Sequence, residues 1–559
     1  MKNYLLLISL LFGAHAITAQ QNYYISPSGN NNSNGSLATP WKTIQYGVDN
    51  ISANDTINIL AGTYTEKVNI EKSNIYVRNH QGAAVLLSGT GVTSQVAMLQ
   101  IIDGSNVTVA GLEIANNLQK DAQGILVEGS GHDILIENCT LHDIHFSTNP
   151  NASVNSGTNA QGIIVYGTKG NTPLKNIRIK SNHLYNCRLG YSEGIAVNGN
   201  VDGFEISGNE VHDLTNIGID AIGHEGTSSS AATDQARNGL IKNNKVYRCI
   251  SAYATSAGLY VDGGKNIVIE NNSSYHNGYG VEVGCENKGK TTDSIIVRNN
   301  IFYDNEVCAV ALGGYAYPSG SGKVTNSTIT NNTCYKNNFK NDWTGELYLS
   351  YSEKSVIENN IFYLSDHNTF AYAELTQPSL KFNYNLFFSN NGAENLHADW
   401  NGVSYNSFTA FKGGTLSNTN SKIGNPQFAN GNIAAPDLHI TATSAAVDAG
   451  DPLFVPALSE RDIDNEMRVT GTVDCGADEY YAASTGYIFI GNGYWSESSN
   501  WSNSLKPPAL LTGNAKIIVD PVINGECILN VEQHITGGAQ LTIQPDKKFI
   551  VNGSVSISN

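Results

Sequence analysis

Hydrophobic and polar residues alternate along most of the chain in short runs that are separated by glycine and asparagine. One stretch runs through Gly258–Val261, Asn266–Glu270 and Ser274–His276. Such alternation is typical of β-strands that bury one face. We therefore predict an all-β protein built from units of three short strands and three turns.

An asparagine ends one strand of each unit, at Asn182, Asn209, Asn244, Asn272, Asn300, Asn332 and Asn360. The interval is 28 residues from Asn244 to Asn272 and again from Asn272 to Asn300, and longer intervals fit the same unit with an inserted loop. A fixed period of this size, rich in β-branched residues, predicts a solenoid. Each unit is then one coil of a parallel β-helix, and the side-chain amides hydrogen-bond along the stack.

The start of the chain carries the segments Tyr23–Asn30, Pro40–Gln45 and Asp55–Tyr64. They resemble the N-terminal coil and cap of secreted bacterial proteins of the pectate-lyase-like β-helix superfamily. With the repeats, the resemblance covers residues 22–425 and implies a right-handed helix with three strands per coil. The superfamily includes lyases, hydrolases, epimerases and non-catalytic adhesins, so the resemblance implies an architecture and a polysaccharide partner but no single reaction.

The sequence divides into four parts. Residues 1–20 have the layout of a cleaved signal peptide, which predicts a protein secreted to the extracellular space or the cell surface. Residues 21–425 form the predicted β-helix domain. Residues 426–482 resemble the closing segment of such helices, on the motif Gly424–Phe428 at their boundary and on Asp448–Asp451 and Asp474–Tyr480 within them. Residues 483–559 differ in composition and predict a small C-terminal β module.

The net charge, the hydropathy and the cysteine content exclude several classes of partner and scaffold. The net charge of −17 disfavours nucleic acid, which requires a basic face. No stretch after the signal peptide is long and apolar enough for a membrane span, and we expect a monomer. The eight cysteines are too sparse for a disulfide scaffold, so we expect buried thiols. Trp495 and Trp501 are expected in the core of the C-terminal module.

Candidate chemistry appears when the coils are aligned on the glycine that opens their first strand. The residue two positions after this glycine is expected to face solvent, and along the stack it reads Leu126, Ile164, Ala196, Asp220, Tyr260, Glu282 and Ala311. Two positions further, the next outward column contains Asp262. One surface is therefore predicted to collect Asp220, Tyr260, Asp262 and Glu282, with Asp220 and Glu282 about 10 Å apart at Cα because two coils separate them.

Long insertions flank the same coils and are predicted to border a sugar-binding groove. They contribute His224 and Arg237, then Glu286, Lys288 and Lys290, and finally Tyr315. We expect Tyr260, Tyr279, Tyr315 and Lys290 to bind substrate.

Three functions remain open on these residues. The favoured one is a Ca²⁺-assisted polysaccharide lyase acting by β-elimination on a uronic acid, with Asp220, Asp262, Glu282 and Glu286 as metal ligands. Lys288, Lys290 or Arg237 would be its base, and His224 is a further catalytic candidate. The alternative is a glycoside hydrolase that uses two of Asp220, Asp262 and Glu282. The third is a non-catalytic glycan-binding or adhesive β-helix.

Overall fold

The computed structural model describes residues 20–415, 418–458, 460–481, 486–512 and 515–558. All of the predicted signal peptide except Gln20 lies outside these residues. Within them, no helix is long and apolar enough to cross a membrane.

The main body is a parallel β-helix in which three ladders of stacked strands run the length of the molecule, as the repeat predicts. The first ladder, which carries the candidate site, consists of Val68–Ile70, Ala97–Ile102, Gln123–Glu128, Gln161–Gly167, His183–Gly199, Glu210–Ile222, Ala257–Asp262, Tyr279–Gly284, Cys308–Leu312, Leu347–Leu349, Thr369–Ala373 and His397–Trp400, with Val403–Tyr405 antiparallel at its end.

The second ladder is a separate sheet of parallel strands. It consists of Asn22–Ile25, Thr56–Ile59, Ile75–Asn79, Val107–Ala110, Gly131–Glu137, Leu174–Lys180, Val201–Ser207, Arg237–Lys242, Lys265–Glu270, Thr291–Arg298, Lys323–Thr325, Thr328–Thr330, Ser352–Glu353, Val356–Glu358 and Lys381–Asn383.

The third ladder shares the long strands His183–Gly199 and Glu210–Ile222 with the first, because these strands continue through the corner between them. Its other members are Gly62–Tyr64, Val85–Ser88, Glu113–Leu118, Thr140–His145, Lys245–Cys249, Ser273–Tyr275, Ile301–Tyr303, Thr333–Tyr335, Ile361–Tyr363, Leu386–Phe388 and Lys422–Ile423.

Two short helices, Ile44–Asn50 and Phe408–Gly414, lie near the two ends of the β-helix. Each begins after a hydroxyl residue whose side chain accepts a backbone N–H of the first turn, Thr43 in one case and Ser407 in the other. The interior of the helix is one apolar core of inward-facing Ile, Val and Leu side chains. All eight cysteines are buried free thiols, as expected.

The remaining chain forms two further structures. Phe428–Asn430 and Asp437–Ile440 pair as a hairpin in the closing segment. The C-terminal module stacks nine strands into three parallel ladders, which makes it a short β-solenoid: Gly486–Phe489, Lys516–Val519 and Gln540–Ile543; Gly493–Tyr494, Glu526–Leu529 and Lys548–Val551; Leu510–Leu511, Glu532–Ile535 and Ser554–Ile557. Two 3₁₀ turns, Ser498–Asn500 and Ser502–Ser504, precede its second coil. Trp495 and Trp501 are each 2% exposed in its core, as predicted.

Candidate functional site

The register of the first ladder places the predicted outward column in line. Asp220 pairs with Tyr260, and Tyr260 pairs with Glu282 in the next coil. The glycine that opens each strand allows this close stacking. A Cβ on Gly218 would lie 2.5 Å from the carbonyl oxygen of Gly258, a distance that real Cβ atoms do not reach.

The expectation that this column faces solvent is wrong. Asp220 is 2% exposed and Tyr260 is 3% exposed, and the apolar members of the column are buried as well. Leu126, Ile164 and Ala196 pack with neighbouring outward side chains in a second small apolar cluster. Insertions between the coils fold over this face, so it becomes the floor of a cavity.

The cavity has a volume of about 890 Å³. Seven carboxyl groups line it, those of Asp121, Glu193, Asp220, Glu225, Asp262, Glu282 and Glu286. The tyrosines Tyr166, Tyr191, Tyr260, Tyr279 and Tyr315 also line it. Among the described residues that line the cavity, none is lysine, arginine or histidine. The pocket is therefore acidic, with aromatic surfaces.

Asp220 and Asp262 are the most buried acidic residues of the cavity, at 2% and 4% exposure. Burial holds the pKa of Asp220 well above its usual range, and the nearby carboxyls of Glu193 and Asp262 raise it further. One oxygen of Asp220, Oδ1, is buried without a hydrogen-bond partner in the described part of the chain. Burial likewise raises the pKa of Asp262, whose Oδ1 accepts the backbone N–H of Glu286 at 2.7 Å. Burial and the neighbouring carboxyl groups therefore favour the protonated form of Asp220.

Glu282 and Glu193 extend the buried acidic floor. Burial raises the pKa of each to about 8, and neighbouring carboxyls, Glu286 first among them, add to the shift. Glu282 follows Tyr260 in the predicted column. Several carboxyls so close together cannot all ionise, so the cavity contains both protonated and ionised groups.

Glu286 lies at the exposed mouth of the cavity. Desolvation by the cavity walls raises its pKa, while a hydrogen bond from the Tyr260 hydroxyl to Oε1, 3.2 Å long, lowers it. Burial holds the pKa of Tyr260 well above its usual range, so its hydroxyl remains a donor. Glu225, on the loop opposite, accepts a hydrogen bond from the Asn287 side chain, which joins the two loops across the opening.

The cationic candidates do not line the cavity. Arg237 lies on the second ladder, where its guanidinium donates to Asn200 at 2.9 Å and to Asp202 at 3.2 Å. Lys288 is exposed and Lys290 is half-buried, and both lie outside the residues that line the cavity. The structure therefore does not bring these three predicted bases to the carboxyl groups: Arg237 lies on a different ladder, and the loop that brings Glu286 to the cavity leaves Lys288 and Lys290 outside its lining.

His224 also lies outside the cavity lining. Its Nε2 is 3.4 Å from the Thr291 carbonyl oxygen, and its Nδ1 is buried without a partner among the described residues. Burial lowers the pKa of His224, so the ring is neutral at neutral pH. Of the predicted substrate-binding residues, Tyr260, Tyr279 and Tyr315 line the cavity and Lys290 does not.

Glu193 is a cavity residue that the strand alignment did not identify. It precedes Gly194 by one position, as Gln123 precedes Gly124 and Gln161 precedes Gly162. Strict alternation assigns this position to the interior of the helix. Gln123, Gln161 and Tyr279, which hold the same position before Gly124, Gly162 and Gly280, also line the cavity, so strict alternation does not hold at this end of the strands. A comparison of the residues before each glycine could have found it.

The four predicted Ca²⁺ ligands, Asp220, Asp262, Glu282 and Glu286, all line the cavity and offer the oxygen donors that Ca²⁺ prefers. Their donor atoms are nevertheless more widely spaced than in a preformed metal site. Among the described residues, the group of three donor atoms within 4.8 Å of one another lies in the closing segment instead.

Comparisons with known proteins cover the coils that carry the cavity. The family model of the right-handed β-helix region matches residues 97–318 and 232–433. Uncharacterized protein YwoF of Bacillus subtilis (strain 168) is 32% identical over 426 residues, which represent 72% of this chain and 88% of YwoF. The solved complex of XylC with xylose has a TM-score of 0.46 at 14% identity, covering 67% of this chain and 84% of XylC. Pectate lyase Pel9A has a TM-score of 0.38 at 15% identity, covering 83% of this chain and 98% of the lyase.

Proposed function

The chain belongs to the family of right-handed β-helix proteins, and on that premise we propose that its acidic cavity hydrolyses glycosidic bonds of a neutral extracellular polysaccharide. The observation that carries this proposal is a cavity lined by seven carboxyl groups, several with raised pKa values, and by no cationic side chain among its described residues. Glycoside hydrolysis requires one protonated and one ionised carboxyl group beside the same bond.

Asp220 is the proposed general acid. Its raised pKa favours the protonated form that a general acid needs, and its buried oxygen Oδ1 has no competing partner within the described chain. It donates its proton to the glycosidic oxygen as the bond from that oxygen to the sugar breaks. Solvent returns the proton after the product leaves.

Glu286 is the proposed ionised partner. Glu286 and Glu225 are the exposed carboxyl residues of the group, and the Tyr260 hydroxyl stabilises the charged form of Glu286. As a carboxylate it takes the proton of an attacking water, or attacks the sugar itself. Asp262 positions Glu286 through the bond that it accepts from the Glu286 backbone N–H.

A neutral glycan fits this cavity better than an acidic one. A uronic acid would bring a further negative charge among the seven carboxyl groups, and no described lining residue offers a cation to pair with it. The five tyrosines offer surfaces on which sugar rings can pack. The lyase predicted from the sequence depended on Lys288, Lys290 or Arg237 as base, and the cavity lining contains none of them.

The test is incubation of the protein with a panel of neutral and acidic polysaccharides, in Ca²⁺ or in chelator. We expect new reducing ends on a neutral glycan, no ultraviolet-absorbing unsaturated product, and no effect of chelator. Asp220→Asn and Glu286→Gln should each lower the rate about 100-fold or more. Glu128→Gln, on the same strand face but outside the cavity lining, should leave the rate unchanged.

Unsaturated product that disappears with chelator would establish the Ca²⁺-dependent lyase instead. Glycan binding without any product, unaffected by the two active-site variants, would establish the non-catalytic alternative. Circular dichroism of each variant separates loss of turnover from loss of folding.

A further inference from the structure

The cavity extends beyond its acidic floor, over the three coils that precede the coil of Asp220. Its lining includes residues of the strand Gln123–Glu128 and of the strand Tyr279–Gly284, which are five steps of the stack apart. Five steps at the usual spacing of stacked strands make about 24 Å. The cavity is therefore long enough for several sugar units along the helix axis, and the proposed acid and its ionised partner account for only part of it.

Amide side chains line the coils before Asp220. Gln123 pairs in register with Gln161, and the two residues are 7% and 6% exposed. Asn198 lies in the following coil, where it pairs with Tyr166, and both of these side chains line the cavity as well. This end of the cavity therefore offers neutral amide groups in place of the carboxyl groups of the floor.

A chain of hydrogen bonds orients the amide of Gln123. The Ser192 hydroxyl donates to Oδ1 of Asn159 at 3.0 Å, and its oxygen accepts Nε2 of Gln161 at 3.2 Å. Oε1 of Gln161 in turn accepts Nε2 of Gln123 at 3.2 Å. Oε1 of Gln123 ends this chain, and it is buried without a hydrogen-bond partner in the described part of the protein. The network thus leaves an acceptor, not a donor, free in the cavity wall.

Asn198 provides a second free acceptor, closer to the proposed acid. The residue is 8% exposed, and its Oδ1 is buried without a partner among the described residues. Asn198 pairs with Ile222, two positions after Asp220, so Asn198 and Asp220 lie on the same face of adjacent coils. A buried acceptor without a partner is costly, and a donor on a bound ligand removes that cost.

The free acceptors restrict the chemistry of the ligand at this end. A sugar hydroxyl donates a hydrogen bond to an amide oxygen, whereas an ester, an ether or a carboxylate has no hydrogen to donate. Acetylation or methylation of that hydroxyl would leave the amide oxygen unpaired in the complex. On the first two coils, the carboxyl group of Asp121 is the only one in the described lining, and it lies 3.8 Å from the Lys120 ammonium group. Neutral, hydroxyl-bearing sugars match this surface.

We propose that Gln123 and Asn198 bind free hydroxyl groups of the sugar units before Asp220, and so select unsubstituted stretches of a neutral glycan. The inference rests on the proposed function for the position of the cleaved bond at Asp220, but the recognition itself requires no turnover. Three steps of the stack, about 14 Å, separate Gln123 from Asp220, whereas one step separates Asn198 from Asp220. Gln123 therefore contacts a more distant sugar unit than Asn198 does. Gln161 is a positioning residue, because it holds the Gln123 amide.

The test measures binding separately from turnover, in a Glu286→Gln protein whose hydrolysis is slowed. Calorimetry gives its affinity for neutral hexasaccharides of glucose, xylose, mannose or galactose, and ligand-observed nuclear magnetic resonance gives its affinity for the corresponding disaccharides. We expect at least one hexasaccharide to bind. Adding Gln123→Met should weaken hexasaccharide binding about tenfold and leave disaccharide binding unchanged, whereas adding Asn198→Leu should weaken both. Asn552→Leu, at an exposed asparagine of the C-terminal module, should change neither.

Acetylation of the ligand tests the same contacts from the other side. The hexasaccharide that binds is acetylated on its hydroxyl groups and titrated again. We expect its affinity to fall about tenfold or more, and we expect a smaller fall in the protein that also carries Gln123→Met and Asn198→Leu. Equal affinity for the acetylated and the free hexasaccharide would overturn the proposal, as would the absence of binding by every neutral hexasaccharide.

The outcomes for binding and for turnover are distinguishable. Hydrolysis of a neutral glycan together with unchanged affinity in both amide variants would overturn this inference and leave the hydrolase. Weakened affinity in the variants without any hydrolysis by the wild type would overturn the hydrolase and support the amide contacts. Circular dichroism verifies the folding of each variant. If Gln123→Met does not fold, Asn198→Leu decides, since it removes an oxygen that has no partner among the described residues.

Discussion

The raised pKa values of single carboxyl groups in the cavity result from burial by the surrounding coils. Glu282 would be an ordinary surface carboxyl on an open strand face. Here burial, together with Glu286 and Asp262, raises its pKa to about 8 from 4.5. The folded protein therefore holds a proton that the unfolded chain releases between those two pH values. The contribution of Glu282 to the free energy of unfolding is fully present below pH 4.5 and falls as the pH rises to about 8.

Glu282→Gln should remove this pH dependence, because an amide does not ionise. Relative to wild type, we expect the variant to gain about 2–4 kcal/mol of unfolding free energy on going from pH 4 to pH 9. Denaturant unfolding of both proteins across this range measures the difference. Glu128→Gln serves as the control outside the cavity. Parallel pH profiles for wild type and Glu282→Gln would contradict the raised pKa.

At the scale of the structural element, the asparagine ladder stabilises consecutive coils from Asn182 to Asn385 in the same way. Asn300 is fully buried. Its side chain donates to the Ile269 carbonyl oxygen at 2.9 Å and to Asn332 at 3.0 Å, and it accepts the backbone N–H of Asn272 at 2.9 Å. A second ladder of buried asparagines, Asn277, Asn305 and Asn337, ends on the carboxylate of Glu346. These ladders provide hydrogen-bond partners for backbone N–H and carbonyl groups at the turns where the strands end.

Asn300→Ala should lower the free energy of unfolding by about 3 kcal/mol or more. It leaves the Asn272 backbone N–H and the Ile269 carbonyl group buried without partners, and each such group costs about 1–3 kcal/mol. Denaturant unfolding measures the loss, and hydrogen exchange should locate it in the neighbouring coils. Asn151→Ala, at an exposed asparagine of a loop, should change stability by less than about 0.5 kcal/mol. Equal effects of the two substitutions would show that the ladder is not stabilising.

At the scale of the whole molecule, the described residues form separate apolar cores. One fills the β-helix, one lies beneath the closing segment, and one fills the C-terminal module. The closing segment is bound tightly to the helix, because Glu460 pairs with the buried Arg298 at 2.9 Å. The C-terminal module contacts the closing segment through polar pairs such as Arg461 with Asp520 at 2.7 Å.

Truncation after residue 481 should therefore leave a folded protein with the melting temperature and activity of the full chain. Truncation after residue 425 should expose the apolar surface beneath the closing segment and leave Arg298 without Glu460, so we expect aggregation or a large loss of thermal stability. Calorimetry and gel filtration of the two truncated proteins measure this difference. If the protein that ends at residue 481 is unfolded, the C-terminal module is required for folding of the β-helix.

The sequence by itself determined the coil and its register. The spacing of asparagines and the strand-opening glycines aligned Asp220, Tyr260 and Glu282, and the structure confirms that alignment pair by pair. This was predictable because each coil repeats one local pattern, and strand alternation then fixes which side chains share a face.

Only the tertiary structure decided what covers that face. The inserted loops contain no repeat, so the sequence assigned Glu286, Lys288 and Lys290 alike to the site, and only the folded loops show that Glu286 reaches the cavity lining while the two lysines do not. Burial of the outward column, and with it the raised pKa of Asp220, follows from this folding of the loops.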